Sequence, residues 1–153
     1  MNTQIRALGA TIAAFPVYYV VAVLFGAPVL SHFAETATFA AVISIFTAIP
    51  LVLAADGDYN TLYRIAFLND TQELGKKGIA LQRIALGSLF GAWISCVVIP
   101  LDWDRWWQKW PVPCLFGTVF GSIFGLLFSV VERIPAIRRL RRRFTFDQQQ
   151  KLL

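Results

Sequence analysis

Charge-free runs alternate with polar stretches along this chain, and the alternation sets its architecture. No Asp, Glu, Lys or Arg falls within residues 7–30, 36–55, 84–101 or 113–131. A helix needs about 20 apolar residues to cross roughly 30 Å of hydrocarbon, and each run reaches or approaches that length. The pattern predicts an all-α, polytopic integral membrane protein, with four transmembrane helices over those ranges in a single membrane domain, 1–153. Prolines fall in the first two runs at Pro16, Pro28 and Pro50. Neighbouring helices in a membrane bundle satisfy the carbonyls such prolines free. Pro16 is placed to kink the first span. Pro113 opens the fourth, where a missing N–H leaves nothing unpaired. The first run is longer than the apolar core of about 7–15 residues in a cleavable signal, so it reads as a signal anchor that stays in place.

The connections set the direction of threading. Residues 31–35 are too short for anything but an antiparallel hairpin between the first two spans. Residues 56–83 carry Arg64, Lys76, Lys77 and Arg83, and residues 102–112 carry Arg105 and Lys109. The tail, 132–153, carries Arg133, Arg138, Arg139, Arg141, Arg142, Arg143 and Lys151. Four spans therefore leave all but two of the 14 basic residues on the side of the N-terminus. Positive charge stays cytosolic, so both termini and the 56–83 connection are expected in the cytosol and the 102–112 loop in the lumen. Asn69-Asp70-Thr71 is a glycosylation sequon that this orientation leaves unmodified. Within 56–83, apolar residues at 59, 62, 63 and 66 recur at helical spacing, predicting a short helix on the cytosolic headgroups. Gly75, Lys76, Lys77 and Gly78 mark a turn before the third span.

Composition agrees with the pattern. Hydrophobic residues make up 57% of the chain and the mean hydropathy is +0.59, more apolar surface than a soluble domain of this size buries. Charged residues are 15%, and the net charge is +5. Because the basic residues flank apolar spans, they mark orientation and contact with anionic headgroups, not a nucleic-acid surface. A transporter is disfavoured, since no charge lies mid-span. His32 has no partner at metal-ligand spacing, and neither a metal nor another cofactor is expected. Cys96 and Cys114 belong to no CxxC or Cys/His cluster. They read as small buried apolar residues, with a disulfide between them left open.

Two features stand out within the last two spans. Small residues recur every fourth position at Gly87, Gly91 and Ser95, and again at Gly117, Gly121 and Gly125. In lipid, where helices gain little from the hydrophobic effect, such stripes allow close backbone approach. They predict a tightly packed hairpin or a face for a second protein, and the sequence alone leaves both open. The loop between these spans holds four of the five tryptophans, within Trp103-Asp104-Arg105-Trp106-Trp107-Gln108-Lys109-Trp110. Tryptophan favours the membrane interface, so the loop is expected to lie on the lumenal surface. Asp102 and Asp104 with Arg105 raise the question of a headgroup or cation site. Two carboxylates two residues apart make an incomplete metal site, and no nucleophile stands beside a base. No catalytic residue is assigned.

The run Ala85-Leu86-Gly87-Ser88-Leu89-Phe90-Gly91-Ala92-Trp93, followed by Ile99-Pro100-Leu101-Asp102-Trp103-Asp104-Arg105-Trp106-Trp107-Gln108-Lys109-Trp110-Pro111, strongly resembles the signature of the PIG-F family of glycosylphosphatidylinositol (GPI) anchor biosynthesis. Leu24-Phe25-Gly26-Ala27-Pro28-Val29-Leu30 is similar to an earlier stretch of that family. The resemblance implies a non-catalytic subunit in the endoplasmic reticulum membrane. Its partner would be a large membrane-bound transferase that adds phosphoethanolamine to GPI mannoses. It implies partner-binding or packing roles for the glycine stripes, and a signature role for Asp102, Trp103, Asp104, Arg105, Trp107 and Trp110. Family members have about six spans, so the resemblance also implies a missing N-terminal pair. Trp106 stands where the family has proline. The alternative from another class is a lipid- or GPI-headgroup-handling enzyme working through Asp102, Asp104 and Arg105.

Overall fold

The computed structural model describes residues 3–28, 31–69, 71, 74–101 and 104–134. Among these residues five helices follow in order: α1 (Thr3–Leu24), α2 (Phe33–Ala54), α3 (Tyr59–Phe67), α4 (Lys76–Cys96) and α5 (Val112–Val131), with a 3-10 turn at Trp106–Gln108 before α5. There is no strand among the described residues. Four of the helices, α1, α2, α4 and α5, are long and apolar enough to cross a membrane. The protein is an all-α polytopic membrane protein. At about 1.5 Å per residue, 20 to 22 residues cover the hydrocarbon thickness.

The α2 helix is the centre of the bundle. Half of its most apolar stretch is buried, against 11% for α1. It packs on α1 on one side and on α4 on the other, and more lightly on α5. The α4–α5 pair makes the most extensive helix contact in the molecule.

Helix ends depart from the charge-free runs for identifiable reasons. The third run opens at 84, yet α4 begins at Lys76. Two polar side chains in its first turns are satisfied where they stand. Gln82 is buried and donates to Asn69 Oδ1 at 2.7 Å, and Arg83 pairs with Glu132 at 2.5 Å. A partnered charge at a helix end is compatible with helix, so the helix runs beyond the charge-free run. The same helix stops at Cys96, short of 101, where β-branched Val97, Val98 and Ile99 precede Pro100. At its start, α1 includes Arg6, which donates to the Gly57 carbonyl and lies over the Tyr59 ring, 5.5 Å from its centroid. Pro16 lies inside α1, which continues through it.

The helix expected around 59–66 is α3. Asp58 caps it by accepting from the Thr61 N–H at 2.8 Å. That bond holds the Asp58 carboxyl below its usual range. Ile65 of α3 packs with Ala54 and Ala55 at the end of α2. The basic tail beyond Ile134 and the middle residue of the sequon, Asp70, lie outside the described residues.

Candidate functional site

The two small-residue stripes face each other. A Cβ added to Gly91 would meet the Gly117 carbonyl oxygen, and would lie 2.8 Å from Gly121 Cα. A Cβ on Gly87 would meet the Gly121 carbonyl, one on Gly117 would meet Ser95 Oγ, and one on Gly125 would meet the Arg83 carbonyl. The stripes therefore form an antiparallel seam along which the α4 and α5 backbones touch directly. Any side chain there forces the helices apart. Ser95 turns its hydroxyl to the Gly91 carbonyl at 2.7 Å, satisfying itself within α4. Ser88, on the other side of α4, is fully buried and bonds the Ala85 carbonyl at 2.7 Å. Its Oγ also lies 3.4 Å from the Phe46 carbonyl of α2. Small residues thus let α4 approach α5 and α2 at once.

Both ends of this hairpin are clasped. At the end carrying the connection from α3, Arg83 pairs with Glu132 and lies over the Phe128 ring, 4.9 Å from its centroid. Arg133 donates to the Lys76 carbonyl at 2.8 Å. At the other end, Cys96 closes α4 and Cys114 stands in the first turn of α5. Their sulfurs are 2.7 Å apart, with no bond between them in this structure.

The aromatic loop is docked onto the bundle. Gln108 is buried and serves as its hub. Its Oε1 accepts from the Arg105 N–H at 3.0 Å, and its Nε2 donates to the carbonyls of Val98, at 3.1 Å, and Leu101. Trp110 turns inward. Its ring meets Phe39 edge-on at 5.2 Å, and its N–H donates at 3.0 Å to Thr36 Oγ1. Thr36 in turn donates to the Pro28 carbonyl at 3.1 Å. The chain Trp110–Thr36–Pro28 ties this loop to the α1–α2 turn. Trp106 remains outward, 72% exposed, and Asp104 and Arg105 are exposed beside it. Asp104 has a φ of 47°, a left-handed turn that carries the chain back toward the bundle. Trp107 is half-buried and engaged in a contact of its own. Asp102 and Trp103 lie outside the described residues.

The expected site residues thus fall into three groups. The six stripe residues come together as one seam, Trp110 docks on α2, and Asp104 with Arg105 point to solvent. Gln108 and Thr36, which organise the loop, were not singled out by the sequence pattern. Between α1, α2 and α4 an apolar cavity of about 650 Å³ opens, lined by Tyr18, Phe39, Leu89, Cys96 and Trp110 among others. No group of three or more His, Cys, Asp or Glu suited to a metal is present among the described residues.

Residues 1–130 match the model of the GPI biosynthesis protein family Pig-F, which takes in all four spans and the docked loop. The chain belongs to this family. Relatives include the human stabilizing subunit of GPI ethanolamine phosphate transferase, 35% identical over 100 residues, which are 65% of this chain and 45% of that protein. A GPI anchor biosynthesis protein 11 from Pyricularia oryzae is 36% identical over 107 residues, 70% of this chain and 38% of the relative. In Schizosaccharomyces pombe, a Pig-F/3-ketodihydrosphingosine reductase fusion is 36% identical over 95 residues, 62% of this chain and 18% of the fusion. The chain spans less than half the length of these relatives. No solved structure matches it.

Proposed function

We propose that this Pig-F family chain is a non-catalytic membrane subunit that stabilises a GPI ethanolamine phosphate transferase. It acts in the endoplasmic reticulum membrane, with both termini cytosolic and the α4–α5 loop lumenal. The observation that carries this reading is the glycine seam. It makes α4 and α5 one stiff unit whose outer faces, including Trp93 on α4 and Phe116, Phe120 and Phe124 on α5, are exposed and apolar. A stiff apolar face orders few side chains when a transmembrane partner docks on it, which favours association. The human relative's description as a stabilizing subunit points the same way. Because the seam is closed on itself, the glycines act on the partner indirectly, by holding the outer faces in place.

Affinity purification of the tagged chain from its own cells, followed by identification of the bound membrane proteins, tests this. A co-purifying transferase of the phosphoethanolamine class is expected. Its absence under conditions that preserve other membrane complexes would remove the proposal. Phosphoethanolamine transfer by the purified chain alone, lost on Asp104→Asn, would replace it with an enzymatic reading.

A further inference from the structure

The geometry points to a disulfide between Cys96 and Cys114 that clasps the base of the aromatic loop in the mature protein. The two sulfurs already lie 2.7 Å apart, across the ends of α4 and α5 where the loop leaves and returns. Closing the bond needs a small adjustment of two side chains on helices already in contact. They are also the chain's only cysteines, so no other pairing competes within it.

The inference rests on the orientation proposed above, which puts this end of the hairpin in the lumen of the endoplasmic reticulum. There disulfides form and persist, whereas the cytosol keeps thiols reduced. The oxidant is a disulfide-bearing thiol oxidoreductase acting while the hairpin assembles. The Cys96 thiolate attacks one sulfur of the oxidant's disulfide and releases the other as a thiol. The Cys114 thiolate then attacks the mixed disulfide and releases the second oxidant thiol. Two protein thiols lose two electrons and two protons, and one oxidant disulfide becomes a dithiol. Cys114 is fully buried, whereas Cys96 is partly exposed along the apolar cavity. Cys96 is thus the sulfur an oxidant reaches first.

The bond has a structural consequence. It pins both ends of the segment between residues 96 and 114, which contains Gln108 and Trp110. Constraint of a loop of that length narrows the states available to it when it undocks. The clasp therefore supports the docked loop from below, while Gln108 supports it from within.

Thiol counting on this chain in eukaryotic microsomes tests this. The membranes are acid-quenched, denatured, and treated with a PEG-maleimide before and after reduction. The expected result is no addition before reduction and two after it. Cys96→Ser and Cys114→Ser should each show one addition without reduction. Two additions to the unreduced wild-type chain would overturn the bond. A separate copy carrying a glycosylation acceptor at its C-terminus reports orientation. Free thiols with an unglycosylated tail defeat the disulfide alone, and free thiols with a glycosylated tail defeat the orientation as well. If the bond forms, the single-serine variants, solubilised in mild detergent so that protease reaches the loop, should also be cut faster by trypsin at Arg105 and Lys109 than the oxidised wild type. Equal cutting would overturn the claim that the bond supports the loop.

Discussion

The two long hairpins of this protein solve the same problem by different means. The α1 and α2 helices join through a short turn and pack with ordinary side chains, and α1 keeps most of its surface exposed. Ile5, Leu8, Ile12, Val17 and Val20 all face outward, and a Cβ added at Gly9 meets nothing within 4 Å. The α4 and α5 helices touch backbone to backbone along five glycines and are tied at both ends. A helix meeting lipid on most of its faces accepts apolar substitutions there. A helix meeting another backbone cannot accept even a methyl group. The comparison shows where the molecule tolerates change, and it places the demanding geometry under the loop that carries the family signature.

Substitutions at glycine separate the hairpins most sharply. Gly91→Leu should destabilise the chain by about 1–3 kcal/mol or more, because α5 must move away. Gly9→Leu should leave the melting temperature in detergent unchanged. Equal melting of the two variants would erase the distinction. Next in size is the loop hub. Gln108→Ala removes the side-chain bonds to the Arg105 N–H and to the carbonyls of Val98 and Leu101, at about 0.5–1.5 kcal/mol each for part-buried hydrogen bonds. Limited trypsin digestion at Arg105 and Lys109 should speed up roughly tenfold, at about 1.4 kcal/mol per decade. Thr36→Val removes the one link between this loop and the α1–α2 turn that is described here in hydrogen bonds, and should lower stability by about 1 kcal/mol. If it leaves trypsin cleavage of the loop unaltered, the loop is held by the α4–α5 side alone.

The smallest effect concerns α3, which belongs to neither hairpin. The Asp58 carboxyl is held below its ordinary range by the Thr61 N–H. A group with a depressed folded-state value stabilises above its unfolded value, and that contribution fades as pH falls through the folded one. Protection of the amides at the start of α3, taken relative to their intrinsic exchange rates at each pH, should therefore fall on acidification below the usual Asp range, while that of the glycine seam does not. Asp58→Asn should remove most of that pH dependence.

How much of this was legible in the sequence varied with the physics involved. Charge-free runs reveal spans because the bilayer penalises unpaired charge at any position. The helix of the third run extends further back, to Lys76, where Arg83 finds Glu132 and Gln82 finds Asn69, partners that only the fold brings near. The four-residue spacing of the glycines was plain, but spacing on one helix does not say which surface it meets. That required the register of α5 against α4. The tryptophan cluster announced an interface and hid a division of labour, with Trp106 outward and Trp110 docked on Thr36 and Phe39. The signal for Gln108 was present in one respect. A side-chain amide among interfacial aromatics must find several partners or stay wet, and here it found three.

On the proposed function, the seam between α4 and α5 shapes the surface a transferase needs, while α1 tolerates apolar change on its open faces. The direct measurement is the steady-state abundance of the transferase in cells whose sole copy of this chain is Gly91→Leu or Gly9→Leu, compared at equal levels of the subunit. A several-fold loss of transferase is expected with Gly91→Leu, and wild-type abundance with Gly9→Leu. Full transferase abundance with the Gly91→Leu chain present at wild-type level would contradict it.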